Sequence, residues 1–455
     1  MKKLYIQTYG CQMNLYDSER IAQVMGRMGY VATEQIDSAD LIILNTCSVR
    51  DRAEQKVYSA LGRWRELKEQ RQEVIIGVGG CVAQQEGETL LQRAPHLDLV
   101  FGTHNIHKLP QMVEQVLTLR SRPVVETAFY RDPSYMEDPE GRAQVQGAKA
   151  FVTIMQGCDK VCSFCIVPHV RGREVSRPSA KIIDEIRALA QQGVKEVMLL
   201  GQNVNSYGKT SPGEISFAEL LSRVNEIDGL ERIRFTTSHP QDLSPELIEA
   251  FATLDKLCEH LHLPVQSGSD SVLARMRRGY TRSEYLRRIR QLKSRCPDVS
   301  LSTDIIVGFP GESDDDFTNT LELLRQLEYD EIFSFMYSPR THTVSAKLYE
   351  DDVPEEVKKV RLQRLLNLQH GIALGNNRKK IGSVEEILVD GNSKLKSGQI
   401  MGRTRTNRIV NVMGANVLIG STIPVRITGA TANSLIGERL TPARFCNSHI
   451  EGEMA

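Results

Sequence analysis

Three cysteines lie close together in the loop GCDKVCSFCIVP, with the spacing C-x3-C-x2-C at Cys158, Cys162 and Cys165, here called the central trio. Three thiolates at this spacing are expected to bind metal. A structural zinc site needs four ligands, and His169 offers the fourth. A cubane iron–sulfur cluster held by three cysteines instead leaves one iron open for a substrate or cofactor. The loop follows a predicted strand, where parallel α/β folds bind ligands, and this position favours the open cluster.

Three further cysteines, Cys11, Cys47 and Cys81, form a second set, the N-terminal trio. They are 36 and 34 residues apart, and each lies at or just past the end of a predicted strand. Loops at one edge of neighbouring strands lie within about 5 to 10 Å of each other, so these thiolates are predicted to converge on one metal centre. Free cysteines are otherwise small buried apolar residues. We interpret three more cysteines in that way: Cys258, Cys296 and Cys446.

The elements that carry the N-terminal trio follow a βαβαβ pattern. The strand candidates KLYIQTY, DLIILNT and EVIIGVGG alternate with helical apolar spacing, which predicts a parallel sheet with flanking helices over residues 1–120. Trp64 lies on one of these helices and is predicted to serve packing. Residues 121–148 lose periodicity and are rich in Pro, Asp, Glu and Gly, so we interpret them as a linker.

Six strand–helix units follow the linker. Six is fewer than the eight that close a full barrel, so an open or partial barrel is expected from about residue 149, with a trailing helix that ends near residue 380. Residues 381–445 contain about five short strands and predict a small antiparallel barrel.

Charge and composition limit the classes of protein that fit. The 455 residues include 57 Lys and Arg and 57 Asp and Glu, so no global field attracts nucleic acid or membrane, and such a partner must meet a local patch. The longest near-apolar run, 74–83, is about half of what a membrane helix needs. We find no secretion signal and expect a cytoplasmic protein. Its nine cysteines would then serve metals or catalysis rather than structural disulfides.

The central loop, with Phe164 before its last cysteine and six strand–helix units after it, resembles that of the radical S-adenosylmethionine (SAM) enzymes. The resemblance implies that the open iron chelates the amino and carboxylate groups of SAM and that one electron cleaves its sulfonium to a 5′-deoxyadenosyl radical. It assigns cofactor contacts to strand-end residues, each of which is otherwise a turn former or helix cap. These residues are Gly201, Gln202, Asn203, Gln266, Ser267 and Asp304.

The whole chain resembles the methylthiotransferase family. That resemblance implies an N-terminal flavodoxin-like parallel α/β domain, a central partial (βα)6 radical SAM barrel and a C-terminal TRAM-like β-barrel. It also implies two 4Fe-4S clusters. The auxiliary cluster, at the N-terminal trio, carries the sulfur; one SAM methylates this sulfur and a second SAM supplies the radical. A low-potential electron donor and a sulfur or cluster carrier follow as partners. No catalytic residue beyond the cluster ligands is assigned.

A basic segment in the tail indicates the substrate class. Residues 394–426 contain six Lys or Arg and no Asp or Glu, which favours phosphate as a partner. The alternative is a solvent-exposed strand face, which has the same basic composition. The predicted RNA contacts are Lys394, Lys396, Arg403, Arg405 and Arg408. Three arginines after the central trio are interpreted either as contacts to cofactor or phosphate or as solvated side chains: Arg171, Arg173 and Arg177.

The motifs GQNVNSYG, FTTSHP and LPVQSGS resemble the family branch that modifies carbon 2 of N6-isopentenyladenosine next to the anticodon of tRNA. Two rival branches act on threonylcarbamoyladenosine in tRNA and on an aspartate of a ribosomal protein. The alternative to an enzyme is a non-catalytic, zinc-dependent RNA-binding protein that uses the same thiols structurally. The favoured reading predicts a monomer that acts on tRNA and needs no membrane.

Overall fold

The computed structural model describes residues 1–48, 51–119, 122–137, 147–393, 398–414 and 416–440. Three residues singled out in the sequence lie outside these ranges: Lys394, Lys396 and Cys446.

The N-terminal region is a six-stranded parallel sheet in the order β2-β1-β3-β4-β5-β6, as the βαβαβ pattern predicts. Its strands are β1 Lys2–Thr8, β2 Tyr30–Ala32, β3 Leu41–Thr46, β4 Ile75–Gly80, β5 Leu99–Phe101 and β6 Val124–Glu126. Its helices are α1 Gln12–Gly26, α2 Asp51–Gln70, α3 Cys81–Glu86, α4 Thr89–Arg93 and α5 Leu109–Leu119. Every residue of β3 and β4 is buried, as expected of central parallel strands covered on both faces. Trp64 packs in the core below them, which confirms its predicted role.

The segment 121–148 is more than the linker that the sequence predicts. Strand β6 extends the N-terminal sheet by pairing with β5, and a short 3-10 turn buries Tyr135 and Met136 against Val175 of the central region. A strand of three residues is too short to show an alternating pattern in the sequence. It forms because the edge strand β5 provides a pairing partner, which the local sequence does not reveal.

The central region is a partial barrel of six parallel strands. They are β7 Lys149–Thr153, β10 Glu196–Leu200, β11 Arg232–Thr236, β12 His260–His262, β13 Ser300–Val307 and β14 Glu331–Met336. They form two three-stranded sheets, β11-β10-β7 and β12-β13-β14, joined by a parallel bridge between Ile233 and Leu257. A small hairpin of β8 Met155–Gln156 and β9 Val175–Ser176 flanks the central trio. The helices are α6 Val167–Val170, α7 Ser179–Gln191, α8 Phe217–Asn225, α9 Pro245–Thr253, α10 Asp270–Arg275, α11 Arg282–Arg295, α12 Asp314–Leu327 and α13 Val344–Leu348.

Helix α1 joins the N-terminal and central regions. Its Met13 and Tyr16 are buried against Leu200, with Phe151 and Met198 beside them. Because α1 starts directly after Cys11, this packing sets the N-terminal trio beside β7 and β10.

A long helix, α14 Glu355–Arg378, leads to a closed five-stranded barrel. Its strands are β15 Val384–Asn392, β16 Gln399–Thr404, β17 Ile409–Met413, β18 Thr422–Ala430 and β19 Leu435–Arg439. The predicted small barrel is confirmed, with one difference, because β17 pairs with β19 in parallel while the other four pairings are antiparallel.

Within the described ranges, every helix is too short or too polar to cross a bilayer.

Candidate functional site

One large cavity lies where the three regions meet. Its volume is about 1760 Å³. Cys11 and Cys47 of the N-terminal trio line this cavity, and so does the whole central trio. The two cysteine sets, far apart in the sequence, therefore face the same space.

The N-terminal trio lies at the carboxyl edge of three adjacent strands. Cys11 is the N-cap of α1 after β1, Cys47 follows β3, and Cys81 is the first residue of α3 after β4. The strand order reverses between β1 and β3, and open parallel sheets bind ligands at such a point. The spacing of the three cysteines in the sequence predicts this convergence.

Two glycines allow the loops of the trio to approach each other. Gly80 has φ of +89°, and a Cβ there would lie 2.4 Å from the carbonyl oxygen of Thr46. A Cβ at Gly10 would lie 2.8 Å from that of Cys47. Any larger residue at either position would push the cysteine loops apart.

The three thiols interact through Cys47. Its hydrogen bonds, together with the charge of Arg171, lower the pKa of Cys11 to about 6 and that of Cys81 to about 7 against the opposing effect of burial. The same bonds raise the pKa of Cys47. Cys81 is buried and does not line the cavity. Among the described residues, no three acidic, histidine or cysteine side chains already have the spacing of a single-ion site.

An amide network fixes the loop of Cys11. The Asn14 side chain accepts from the backbone N of Cys11 at 3.3 Å and donates to the carbonyl oxygen of Thr46 at 3.0 Å. Asn45 donates to the carbonyl oxygen of Asn14 at 2.8 Å. Two neighbouring strand ends are thereby tied together around the trio.

The central trio has one buried cysteine, Cys158, and two partly buried ones, Cys162 and Cys165. Burial raises the pKa of Cys158 to about 11 and that of Cys165 to about 12. Arg278 Nη1 donates to Cys162 Sγ at 3.2 Å, and the rest of its guanidinium is held by Pro264 and Tyr280. A fixed cation thus stabilises negative charge on the trio.

The predicted cofactor contacts after β10 divide into two roles. Gly201, Gln202 and Asn203 all line the cavity. Gln202 accepts from the backbone N of Gly157 at 2.5 Å and so orients the cysteine loop. Asn203 donates to Asp242 at 2.8 Å, and its Oδ1 is buried with no partner among the described residues. That oxygen is an acceptor available to a bound ammonium group.

The contacts predicted after β12 and on β13 divide as well. Gln266 and Asp304 line the cavity, and Gln266 holds φ of +75°, a strained conformation for a residue other than glycine. Asp304 lies 3.5 Å from His262 Nε2. Ser267 does not line the cavity, because its hydroxyl is fully buried against Thr320. Its prediction as a cofactor contact is corrected to a structural role.

The predicted RNA arginines have partners within the chain. Arg405 pairs with Glu259 at 2.6 Å and Arg408 with Asp330 at 2.6 Å, both acids lying near the start of central strands. Arg403 lines the cavity and donates to Asn407 at 3.2 Å. Arg405 and Arg408 therefore join the C-terminal barrel to the central region, Arg408 also lines the cavity, and their assignment as RNA contacts stays a prediction. A run of basic residues does not reveal which acids lie opposite it in the fold.

Sequence reasoning missed some polar residues of the site. Arg278 and His239 line the cavity. Arg278 lies in none of the motifs quoted above, whereas His239 lies in the motif FTTSHP but is given no role there. Burial lowers the pKa of His239 to about 2, so its imidazole is neutral. Its Nδ1 accepts from the backbone N of Gln241, which leaves the buried Nε2 as a donor without a partner among the described residues.

The donor set fits iron–sulfur clusters better than zinc. Each trio offers three thiols beside a buried arginine, and the cavity gives access to the vacancy that three ligands leave. His169, the fourth zinc ligand considered above, does not line the cavity, and its ring lies 6.1 Å from that of His342 in a tilted arrangement.

Three family matches cover the three regions. Residues 3–102 match the uncharacterized protein family UPF0004, residues 152–324 the radical SAM superfamily, and residues 378–440 the TRAM domain. They confirm the predicted order of regions.

The chain is similar to full-length curated proteins and, in fold, to solved radical SAM enzymes. It is 52% identical over 440 residues to the tRNA-2-methylthio-N(6)-dimethylallyladenosine synthase of Syntrophotalea carbinolica, covering 97% of this chain and 100% of that protein. The synthase of Geobacter metallireducens is 53% identical over 437 residues, covering 96% and 98%. The radical SAM methyltransferase TsrM of Kitasatospora setae, solved with cobalamin and a [4Fe-4S] cluster bound, shares the fold with a TM-score of 0.54 at 13% identity, covering 76% and 77%. The chain therefore belongs to the tRNA-2-methylthio-N(6)-dimethylallyladenosine synthase family of the radical SAM superfamily.

Proposed function

We propose that this enzyme inserts a methylthio group at carbon 2 of N6-isopentenyladenosine next to the anticodon of tRNA, with two SAM molecules per turnover and a sulfur carried at the N-terminal trio. Its radical SAM domain already implies one iron–sulfur cluster and SAM. The proposal adds a second cluster. Clusters and SAM together would supply a methylated sulfur and a radical that removes hydrogen from a carbon that nucleophiles do not attack.

The shared cavity is the observation that carries this proposal. A carbon radical must form next to the sulfur that captures it, and both trios border one cavity that a nucleoside can enter. Hydrogen bonds hold the cysteine loops on both sides of the cavity. Asn14 and Asn45 make them at the N-terminal trio, and Arg278 and Gln202 make them at the central trio.

The cavity wall supports a prenylated adenosine as the substrate. Phe333 and Phe335 project from the same face of β14, and Leu366 of α14 lies on the same wall; each of the three is more than a third exposed. Such a wall suits a flat base and an apolar prenyl chain better than the carboxylate of a threonylcarbamoyl group. The names of the relatives support the same choice.

The decisive experiment compares three anticodon stem-loop RNAs that carry isopentenyladenosine, threonylcarbamoyladenosine or unmodified adenosine. The protein is reconstituted anaerobically with iron and sulfide and given SAM and a reductant. We expect about eight irons per chain, as two cubane clusters require. We also expect the methylthio nucleoside by mass spectrometry from the first RNA alone. Product from the threonylcarbamoyl RNA, or a colourless zinc protein, would refute the assignment.

A further inference from the structure

Arg171 is a buried arginine whose partners leave one nitrogen unused. It follows α6, six residues after Cys165, and is 3% exposed. Its Nη2 donates to Asp17 at 2.7 Å, where the carboxylate is also buried. Its Nη1 is buried and has no hydrogen-bond partner among the described residues. An unpaired guanidinium nitrogen is costly, so the position calls for an acceptor that the chain itself does not provide.

The surrounding contacts hold this guanidinium beside the N-terminal trio. The carbonyl oxygen of Arg171 lies 2.9 Å from His104 Nε2, and Thr103 donates to that of Val170 at 2.8 Å. Val170 also packs directly against Cys81. The side chain cannot swing out to water, and its charge acts on both Cys11 and Cys81.

Two other buried arginines serve as comparisons. Arg177 is equally buried, but Glu137, Glu185 and the carbonyl oxygen of Thr153 use all three of its nitrogens. At the central trio, Arg278 donates directly to a cysteine sulfur. Arg171 resembles Arg278 in that its side chain also lowers the pKa of a cysteine of its trio, Cys81, through a hydrogen bond, while its Nη1 stays without an acceptor among the described residues.

We propose that Arg171 is a positioning residue for the sulfur-carrying centre, and that its Nη1 donates a hydrogen bond to inorganic sulfur held by the N-terminal trio. This inference rests on the proposed auxiliary cluster. Hydrogen bonds and positive charge near cluster sulfur favour the reduced state and raise the reduction potential. Asp17 opposes that effect by neutralising part of the charge. Because Arg171 belongs to the central region, it also ties the radical site to the sulfur site.

The test isolates one centre. A variant with the central trio changed to alanine is reconstituted with iron and sulfide, and the midpoint potential of the remaining cluster is measured by an EPR-monitored redox titration. Arg171→Gln is expected to shift the potential to a more negative value. Asp17→Asn leaves the cation uncompensated and is expected to shift it to a more positive value. Opposite signs from two partners of one ion pair are not expected of a purely structural role.

Arg177→Gln is the matched control, since it also removes a buried paired arginine but lies away from the trio, and its potential is expected to stay unchanged. If Arg171→Gln fails to fold, as circular dichroism would show, Arg171→Lys and Asp17→Asn decide. Arg171→Lys keeps the charge and should stay closer to the parent potential than Asp17→Asn does; an unchanged potential in Asp17→Asn would then overturn the inference. An unchanged potential in folded Arg171→Gln, or a same-sign shift in both variants, overturns the inference. Absence of any cluster in the parent variant would instead refute the proposed function.

Discussion

Cys47 and Cys162 are each the second cysteine of their trio along the chain, but they serve different steps of the proposed reaction. Cys47 touches both other thiols of the N-terminal trio, and Cys162 receives the hydrogen bond from Arg278. Cys47→Ala is expected to retain reductive cleavage of SAM and to lose sulfur insertion, whereas Cys162→Ala is expected to lose both. Mass spectrometry of 5′-deoxyadenosine and of the RNA nucleoside measures the two outcomes.

The matched control is Cys258→Ala. Cys258 belongs to neither trio and is buried, as predicted. It should keep both activities apart from a modest loss of stability. Methylthio product from Cys47→Ala would show that the N-terminal trio does not carry the sulfur.

Glu174 gives the fold a pH dependence of its own. Burial raises its pKa to about 7, only Ser206 donates to it through a side chain, and its Oε1 has no partner among the described residues. Since the fold disfavours the ionised carboxylate, stability falls as the pH rises from the unfolded value of about 4.3 through 7. Glu174→Gln should therefore stabilise the protein by about 1–2 kcal/mol at pH 8 and by little at pH 5. Urea unfolding at both pH values measures this.

Glu214 supplies the control of opposite sign. Burial disfavours its charge, but hydrogen bonds from Ser179 and from the backbone of Ile215 prevail and lower its pKa. Glu214→Gln should destabilise the protein at pH 8. A gain in stability at pH 8 from both substitutions would contradict these assignments.

At the scale of elements, β11 anchors the C-terminal barrel. Arg234 pairs with buried Glu196 at 3.0 Å and donates to the carbonyl oxygens of Thr404 and Arg405 at 2.7 and 2.8 Å. Arg232 donates to the carbonyl oxygen of Arg403 at 2.7 Å. These contacts seat the loop between β16 and β17 against the central barrel.

Arg234→Met should cost about 2–4 kcal/mol of unfolding free energy, because it leaves two buried carbonyls without their donor and removes one of the two cations that pair with Glu196. Urea unfolding and limited proteolysis between the central region and the barrel measure the loss. Arg223→Met is the control, since its helical pair with Glu219 is about half exposed and is worth about 0.3–0.5 kcal/mol. Equal losses from both variants would show that Arg234 does not anchor the barrel.

At the scale of the whole molecule, burial decides which basic residues can meet RNA. Arg426 on β18 is exposed and makes a long contact of 3.4 Å with the carbonyl oxygen of Gly382, whereas Arg405 is paired with Glu259. Arg426→Gln should lower the dependence of log K on log salt for an anticodon stem-loop by about 0.7–0.9, the share of one phosphate contact. Fluorescence anisotropy over a salt series measures the slope.

Arg405→Gln should leave that slope unchanged while weakening the attachment of the barrel. The reverse pattern, with a slope that changes only for Arg405→Gln, would return Arg405 to the RNA surface and leave Arg426 without a role there.

Local sequence patterns were enough to predict the order of regions, the strands that precede each cysteine and the edge at which each trio lies. These features follow from local periods and from the rule that parallel strands share one carboxyl edge. The tertiary structure alone decided which side chains meet across regions. The packing of α1 on β7 and β10, the acids opposite Arg405 and Arg408, the burial of Ser267 and the position of Arg171 beside the N-terminal trio all depend on residues distant in the chain. No local pattern encodes such contacts, because each partner has its own period and only the packed fold sets the distance between them.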